Sequence, residues 1–347
     1  MTRSVKRLYL PYSEWPRVVK ARWKKAFEPN TDLFHEGGPG AHLSDRTVQQ
    51  LQYACGKLLF FLSAEHQDLL QRAPARRVNV KIIKEYVNWQ PSTCGAVTLS
   101  LYLYHLWLAL RYLYPTEDWH WLFAISARMR IGAKPKPEKH HLVTSERLYR
   151  LGMVLMDDAL ACGKPATSWR VQTAFRDGLI IAMLALIPLR RRTLSALRIG
   201  KHLVKSGNEW SLEIPAEDVK SKRPLDYPIS GELSEQIDVY VAKIRSQTAG
   251  ANAHDYLWAS SRGRPMNGQV LYKAVQRRLR KALGFPISLH QFRRAAATFW
   301  SMRDPVNVRA VRDLLGHATF ATTERYYIMS QSRLAGRVLA RAVDGLI

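Results

Sequence analysis

The informative stretch is residues 288–327, which read SLHQFRRAAATFWSMRDPVNVRAVRDLLGHATFATTERYY. His290 and Arg293 are three positions apart, so a helix would place both side chains on one face. Further on, the glycine of Leu-Leu-Gly-His317 predicts a helix end and a turn that begins at the histidine. Tyr326 and the tyrosine after it follow on a predicted helix, about 100° apart around its axis. One of the two rings can therefore pack in a core while the other faces a cleft.

Two further basic groups lie earlier in the same half of the chain. Arg190 is the first of three consecutive arginines in IPLRRRTLSALRIG (187–200), directly after a long apolar stretch. Arginines at the edge of a buried helix are costly unless they meet anions. Lys220 lies in EDVKSKRPLDYPI, between predicted strands at 210–214 and 226–229, where a turn could hold it against a phosphate. For each group taken alone, a solvated basic surface explains the residues as well.

The charge of the whole chain indicates a polyanionic partner. Its 347 residues include 53 Lys and Arg against 28 Asp and Glu, a net charge of +25, and the pI is about 10.2. Such an excess attracts nucleic acid at long range and releases counterions on contact. A basic surface that only aids solubility is the alternative, and we favour double-stranded DNA as the partner.

The cysteines and the N-terminal residues indicate the cellular compartment. Three scattered cysteines form neither a disulfide framework nor a paired metal-ligand pattern, and Cys55 and Cys162 have the apolar neighbours of core residues. The first residues lack the apolar stretch of a secretory signal, which predicts a cytoplasmic protein. Residues 95–114 approach the length of a membrane span, but they include His105 and Arg111. We interpret them as a core helix, and expect no membrane association.

The hydrophobic periodicity predicts a mainly α protein with a small antiparallel β-sheet. We divide it into an N-terminal extension (1–42), a helical domain (43–131), a basic linker (132–145) and a second domain (146–347) that carries the residues above. The predicted helices of the first domain cover about 45–62, 80–89, 95–114 and 117–130. In the second domain we predict a helix capped by Ser145, a helix over 169–197, and helical structure from Leu233 to the end.

The order of these residues resembles the tyrosine recombinase (phage integrase) family. Its pattern of Arg, Lys, His-x-x-Arg, Leu-Gly-His and Tyr falls here on Arg190, Lys220, His290 with Arg293, His317, and Tyr326. The spacing of nine positions after the last histidine selects the first tyrosine of the pair. The resemblance implies a helical core-binding (SAM-like) domain at 43–131, followed by the catalytic domain of the family with a C-terminal tail helix.

The resemblance also implies a reaction and its partners. DNA strands would be cleaved and rejoined through a 3′-phosphotyrosine on Tyr326, with no metal and no cofactor. The charge of the basic linker suits a segment that lies across a phosphate backbone, although a solvated linker is the alternative, so we expect Lys134 and Lys136, together with Arg191 and Arg294, to contact DNA. We expect a homo-oligomer, a dimer on one site and a tetramer in synapsis, with accessory DNA-binding factors or related recombinases as further partners.

Two positions depart from the family pattern. Pro188 replaces a common glycine, and Thr193 replaces the acidic residue usual three positions after the first arginine. Integration or excision of a mobile genetic element is the favoured role. The alternatives are a catalytically silent, sequence-specific DNA-binding protein and a type IB topoisomerase-like enzyme.

Overall fold

The structure is a computed structural model that describes residues 8–31, 34, 37–72, 74–91, 93–133, 143–229 and 231–303. The chain forms two compact units, Met1–Glu138 and Lys139–Ile347. Both are helical, and the second carries one three-stranded antiparallel sheet, so the predicted mainly α class is confirmed. The limits of the four predicted segments remain predictions.

Two helices of the first unit begin at a side chain that accepts from a free N–H group of the first turn. Ser44 caps the second helix by accepting from the Thr47 N–H at 3.3 Å, and Asn79 caps the fourth by accepting from the Ile82 N–H at 3.0 Å. The helices are α1 (Arg17–Ala26), α2 (Asp45–Glu65), α3 (Pro74–Arg77), α4 (Val80–Trp89), α5 (Ala96–Leu113) and α6 (His120–Gly132), with 3₁₀ turns at Tyr12–Glu14 and Gln67–Gln71.

The core of the first unit forms around α2 and α5. Leu103 and Leu106 of α5 are buried against the apolar face of α2, which confirms that the apolar stretch is a core helix. No helix among the described residues is both long and apolar enough to cross a membrane. Trp15 and Trp23 lie in the same core, so the described part of the predicted N-terminal extension packs as part of this unit.

The second unit is built on a buried helix. Its elements are α7 (Ser145–Ala161), α8 (Trp169–Leu186), α9 (Arg191–Ala196), β1 (Leu203–Ser206), β2 (Glu209–Ile214), a 3₁₀ turn (Ala216–Asp218), β3 (Leu225–Ile229), α10 (Glu232–Val239), a π-helical stretch (Tyr240–Arg245), a 3₁₀ turn (Ala251–Ala253), α11 (Gly268–Leu283) and α12 (Leu289–Arg303). Leu179 to Leu184 of α8 are fully buried. Helices α7, α10, α11 and α12 pack against α8, which places it at the centre of the core.

The helices α7 and α8 approach closely at two glycines. A Cβ on Gly178 would lie 2.8 Å from the Gly152 carbonyl oxygen, and one on Gly152 would lie 2.6 Å from the Ala182 nitrogen. Real Cβ contacts are longer than this, so the crossing requires both glycines. The crossing fixes α7 against the central helix.

The sheet lies in the order β1-β2-β3, with both pairs antiparallel. Leu203 is opposite Leu212, and Leu212 is opposite Tyr227. Trp210, Leu212 and Ile214 alternate toward the core along β2, as a half-buried strand requires. The two predicted strands are confirmed as β2 and β3. The strand β1 was not predicted, because a strand of four residues is too short to show the alternation of buried and exposed side chains.

Four details of the sequence-based prediction are wrong. The helix expected over 169–197 ends at Leu186, because Pro188 has no N–H to continue it and disfavours helical backbone at Ile187. The helix α7 is capped by Thr144, not by Ser145, through a bond of 3.2 Å from the Arg147 N–H. Residues 254–267 are not helical. The residue Cys162 is exposed at the end of α7, with its thiol donating to the Ala159 carbonyl at 3.1 Å, and Cys55 is the buried one of the three cysteines.

Candidate active site

Arg190 lies at the junction between the central helix and α9. The chain leaves α8 after Leu186, and Ile187 and Leu189 are both buried, which fixes the backbone on either side of Pro188. Arg190 then serves as the N-cap residue of α9, and its carbonyl accepts the first helical hydrogen bond, from Leu194, at 2.9 Å. Its side chain is half-exposed. The predicted arginine is therefore held on rigid backbone at the edge of the core.

His290 is in the first turn of α12, and that turn is closed by a capping box. The Ser288 hydroxyl accepts from the Gln291 N–H at 3.3 Å, while the Gln291 side chain accepts from the Ser288 N–H at 2.6 Å. Leu289 and Phe292 are buried beneath the turn, which leaves His290 exposed. Local sequence thus determines where α12 begins and directs the histidine outward.

Arg293 joins α12 to the segment that carries Arg190. Its Nη1 donates to the Pro188 carbonyl oxygen at 2.5 Å, across 105 positions of sequence. A guanidinium group has five N–H donors in a planar fork, so one bond to the main chain is compatible with further donation from other nitrogens. The structure therefore brings together two of the predicted motifs, the first arginine segment and His-x-x-Arg.

Arg191 and Arg294, the predicted DNA contacts in the second unit, are placed differently. Arg191 is exposed, donates from Nη1 to the Gln269 side chain at 3.3 Å, and lies 5.9 Å from the centre of the Tyr272 ring. Both partners are on α11, so this helix fixes the direction of Arg191. Arg294 follows Arg293 on α12 and is half-exposed.

Lys220 lies in the connection between β2 and β3. Its side chain is exposed, and the residue before it, Val219, is 2% exposed and belongs to the core. A 3₁₀ turn at Ala216–Asp218 precedes it, and the Lys222 N–H donates to the Val219 carbonyl at 3.0 Å. The backbone around the predicted lysine is therefore tied to the sheet.

Sequence reasoning missed two residues beside this connection. His202 is 3% exposed, and its Nε2 lies 3.0 Å from Oδ2 of Asp218. The hydrogen bond from Lys201 and then that from His202 lower the pKa of the Asp218 carboxyl below its usual range. A buried histidine 16 positions from its acidic partner has no local sequence signal.

Four of the predicted residues lie outside the described residues: Lys134, Lys136, His317 and Tyr326. Within the described ranges, no three His, Cys, Asp or Glu side chains are grouped as ligands of a metal ion would be. The predicted site residues that the structure does describe all have basic side chains. Arginine, lysine and histidine can bind and neutralise the oxygens of a phosphate, and lysine or histidine can also transfer a proton.

Comparison with known proteins agrees with the family resemblance seen in the sequence. Residues 166–333 match the family described as the phage integrase family. The chain is 27% identical over 168 residues to the tyrosine recombinase XerD of Chlamydia pneumoniae, which covers 48% of this chain and 53% of the relative. It is 28% identical over 108 residues to the tyrosine recombinase XerD of Staphylococcus haemolyticus, covering 31% and 36%. The chain thus spans about half the length, or less, of these relatives.

One solved structure is also similar, the crystal structure of XerA recombinase. It is 17% identical, with a TM-score of 0.42, and the match covers 87% of this chain and 94% of that one. Residues 166–333 of this chain therefore match the phage integrase family, and the relatives named above are tyrosine recombinases.

Proposed function

We propose that this protein is a tyrosine-type site-specific DNA recombinase, which cleaves and rejoins strands through a 3′-phosphotyrosine on Tyr326. The observation that carries the proposal is the 2.5 Å bond between Arg293 and the Pro188 carbonyl. This bond places the His-x-x-Arg segment beside the first arginine segment, as a shared phosphate site requires. The family match supplies the rest of the support.

The two arginines would neutralise the scissile phosphate. A tyrosine hydroxyl, with an ordinary pKa near 10, attacks a phosphodiester only if the charge that develops on the non-bridging oxygens is stabilised. Arg190 and Arg293 can each donate from a planar fork, which matches phosphate geometry better than a lysine does. His317 would add a third donor.

Proton transfer would complete the strand cleavage. The bond from the Tyr326 oxygen to phosphorus forms while the bond from phosphorus to the 5′ oxygen breaks. His290 would accept the tyrosine proton, and Lys220 would give a proton to the departing 5′ oxygen. The exposure of Lys220 and His290 supports these roles, because the core does not cover either side chain. Attack by a 5′-hydroxyl of another strand would reseal the DNA without a nucleotide cofactor.

The partner we propose is double-stranded DNA, bound mainly through its phosphates. The net charge of +25 supports it, as does the fixed direction of the exposed Arg191. Arg294 and the linker lysines Lys134 and Lys136 would add contacts. A dimer on each site and a tetramer in synapsis, as in the family, would let two duplexes exchange strands.

The biological role we propose is integration or excision of a mobile element. Its support is the departure of Pro188 and Thr193 from the usual first motif. A second function, that of a catalytically silent DNA-binding protein, has one observation in its favour. Thr193 is 6% exposed, so a buried threonine stands where the family has an acidic group that supports the site.

Covalent trapping separates the two functions. Wild-type protein and the Tyr326→Phe variant are incubated with nicked duplexes tiled across the DNA that flanks the gene, and SDS-resistant adducts are measured. We expect an adduct with wild type and with the matched control Tyr327→Phe, and none with Tyr326→Phe. Binding without an adduct at every tile would refute cleavage by this chain alone, and would favour the silent function or a requirement for one of the expected partner proteins.

A further inference from the structure

A buried histidine and an acidic side chain tie the β2–β3 connection to the start of β1. The His202 Nδ1 accepts from the Arg198 main-chain N–H at 3.2 Å, so the proton of the neutral ring is on Nε2. That nitrogen donates to Asp218 Oδ2 at 3.0 Å. The ring is therefore held at both nitrogens, and its tautomer is fixed by the main chain.

The main chain of His202 also forms a hydrogen bond. The Glu213 N–H on β2 donates to the His202 carbonyl at 2.8 Å. The side chain of His202 thus reaches the connection that follows the strand with which its main chain pairs. Because the ring is 3% exposed, water does not compete well for its bond to the carboxylate.

Asp218 receives a second bond from the other side. Lys201 donates from Nζ to Oδ2 of Asp218 at 2.8 Å, and the lysine side chain is 53% exposed against 3% for His202. The exposed lysine contributes little to rigidity, whereas the bond from the buried histidine to the charged carboxylate, which is itself 34% exposed, contributes more. The histidine is therefore the principal anchor of the carboxylate.

Lys220 is two positions after this carboxylate. Val219 between them is inserted in the core, and the turn that follows closes on its carbonyl and places Lys222 at a φ of +54°, in the left-handed region. The carboxylate on one side and the closed turn on the other leave the backbone at position 220 little freedom. An exposed lysine on a flexible connection would instead sample many positions, most of them unproductive.

We propose that His202 and Asp218 are positioning residues, which hold the β2–β3 connection so that Lys220 is presented to the 5′ oxygen of the scissile phosphate. The catalytic part of this inference rests on the proposed function. The mechanical part, that the pair restrains the connection, can be measured without any DNA.

The mechanical part is tested by limited trypsin digestion of the full chain. Trypsin cleaves after Lys220 and Lys222, and mass spectrometry measures the rate at each bond. We expect faster cleavage at these two bonds in Asp218→Ala and in His202→Phe, which keeps a planar ring, somewhat larger than the imidazole, without the hydrogen bonds. The control is Asp238→Ala, which removes another carboxylate paired with a lysine of the same sheet, Lys205, at 2.6 Å. Unchanged cleavage in both variants would refute the restraint.

The catalytic part is tested with two suicide duplexes that differ only at the scissile 5′ bridging atom, oxygen or sulfur. A thiolate, whose conjugate acid has a pKa of about 8.5, leaves without a donated proton, so the sulfur substrate does not need the general acid. We expect Asp218→Ala to slow adduct formation by about 10²-fold on the oxygen substrate, the lower end of what a general acid contributes. On the sulfur substrate it should react at close to the wild-type rate, and Lys220→Ala should behave in the same way.

Each other outcome contradicts a distinct statement. Equal slowing on both substrates would mean that the pair supports the fold in general, and wild-type rates on both would mean that it does not position Lys220. If wild type itself forms no adduct with either substrate, the proposed function fails and the catalytic part with it. The trypsin result would still decide whether the pair restrains the connection.

Discussion

Replacement of Asp177 by alanine should destabilise the second unit strongly. Asp177 lies on the central helix α8, and its side chain is fully buried between two arginines. Oδ1 accepts from Arg176 at 2.6 Å and 3.1 Å, and Oδ2 accepts from Arg278 at 3.2 Å. The second arginine is on α11, so this carboxylate joins two helices. The helix it anchors ends four positions before Arg190.

The expected cost follows from what each arginine can do after the change. The Arg176 side chain is 5% exposed and cannot be hydrated, although it keeps a bond of 2.8 Å to the Ala259 carbonyl. The Arg278 side chain is 20% exposed and can turn toward water. Removing one partner of a buried ion pair costs about 3–5 kcal/mol. Because Arg278 can be rehydrated, we expect about 3 kcal/mol, the lower end of that range.

Pulse proteolysis in urea measures this free energy of unfolding. Peptides from residues 143–229 are quantified, so that the transition belongs to the second unit alone. With a slope of about 2 kcal/mol per molar urea, the midpoint should fall by about 1.5 M. The matched control, Glu146→Ala, removes an exposed carboxylate of α7, whose ion pair with Arg150 is worth up to about 1 kcal/mol. A midpoint for Asp177→Ala no lower than that of the control would refute the reasoning.

Two substitutions and one labelling experiment test the site and the core. Arg293→Lys keeps the charge but loses the fork, so strand cleavage should fall by about 10²-fold or more while DNA affinity in a filter-binding assay stays near wild type; equal cleavage would contradict a forked contact. Gly178→Val places side-chain atoms where a Cβ would already lie 2.8 Å from a carbonyl oxygen of α7, and should lower the free energy of unfolding by about 1–3 kcal/mol in the same urea assay. Burial raises the pKa of the Cys55 thiol to about 12, so only about 10⁻⁴ of it is thiolate at pH 8. Iodoacetamide should therefore label the exposed Cys162 of the native protein long before Cys55, and equal labelling would show that the first core is open.

Local signals explain the parts of the fold that could be predicted. The helices α2, α4 and α5 lie within three residues of their predicted bounds, because a capping side chain or a glycine marks each start and an apolar face continues through each helix. The strands β2 and β3 alternate over five or six residues, which is long enough to recognise. The strand β1 was not predicted, since its four residues form a strand only by pairing with β2.

Some features of the candidate site could also be predicted from the sequence, and others could not. The order and spacing of the basic residues were sufficient to indicate the family, and the capping box at Ser288 is visible in four consecutive letters. The roles of all the predicted site residues remain predictions, and four of these residues, Lys134, Lys136, His317 and Tyr326, lie outside the described residues. Pro188 was the one local signal of the helix end at Ile187. Without giving it that weight, the sequence analysis predicted one continuous helix over 169–197.

The sequence by itself determined the helical class, the positive net charge, and the order and spacing of basic residues that indicate the family. These follow from residue types and short periods, which are properties of neighbours along the chain. Only the tertiary structure decided that Arg293 would bond to the carbonyl of Pro188, that His202 would hold Asp218, and that Asp177 would be shared by two arginines. The partners in these contacts, apart from Arg176, are 16 to 105 positions apart. They meet because the burial of α8 and of the sheet brings distant polar groups together, where each needs a partner in place of water.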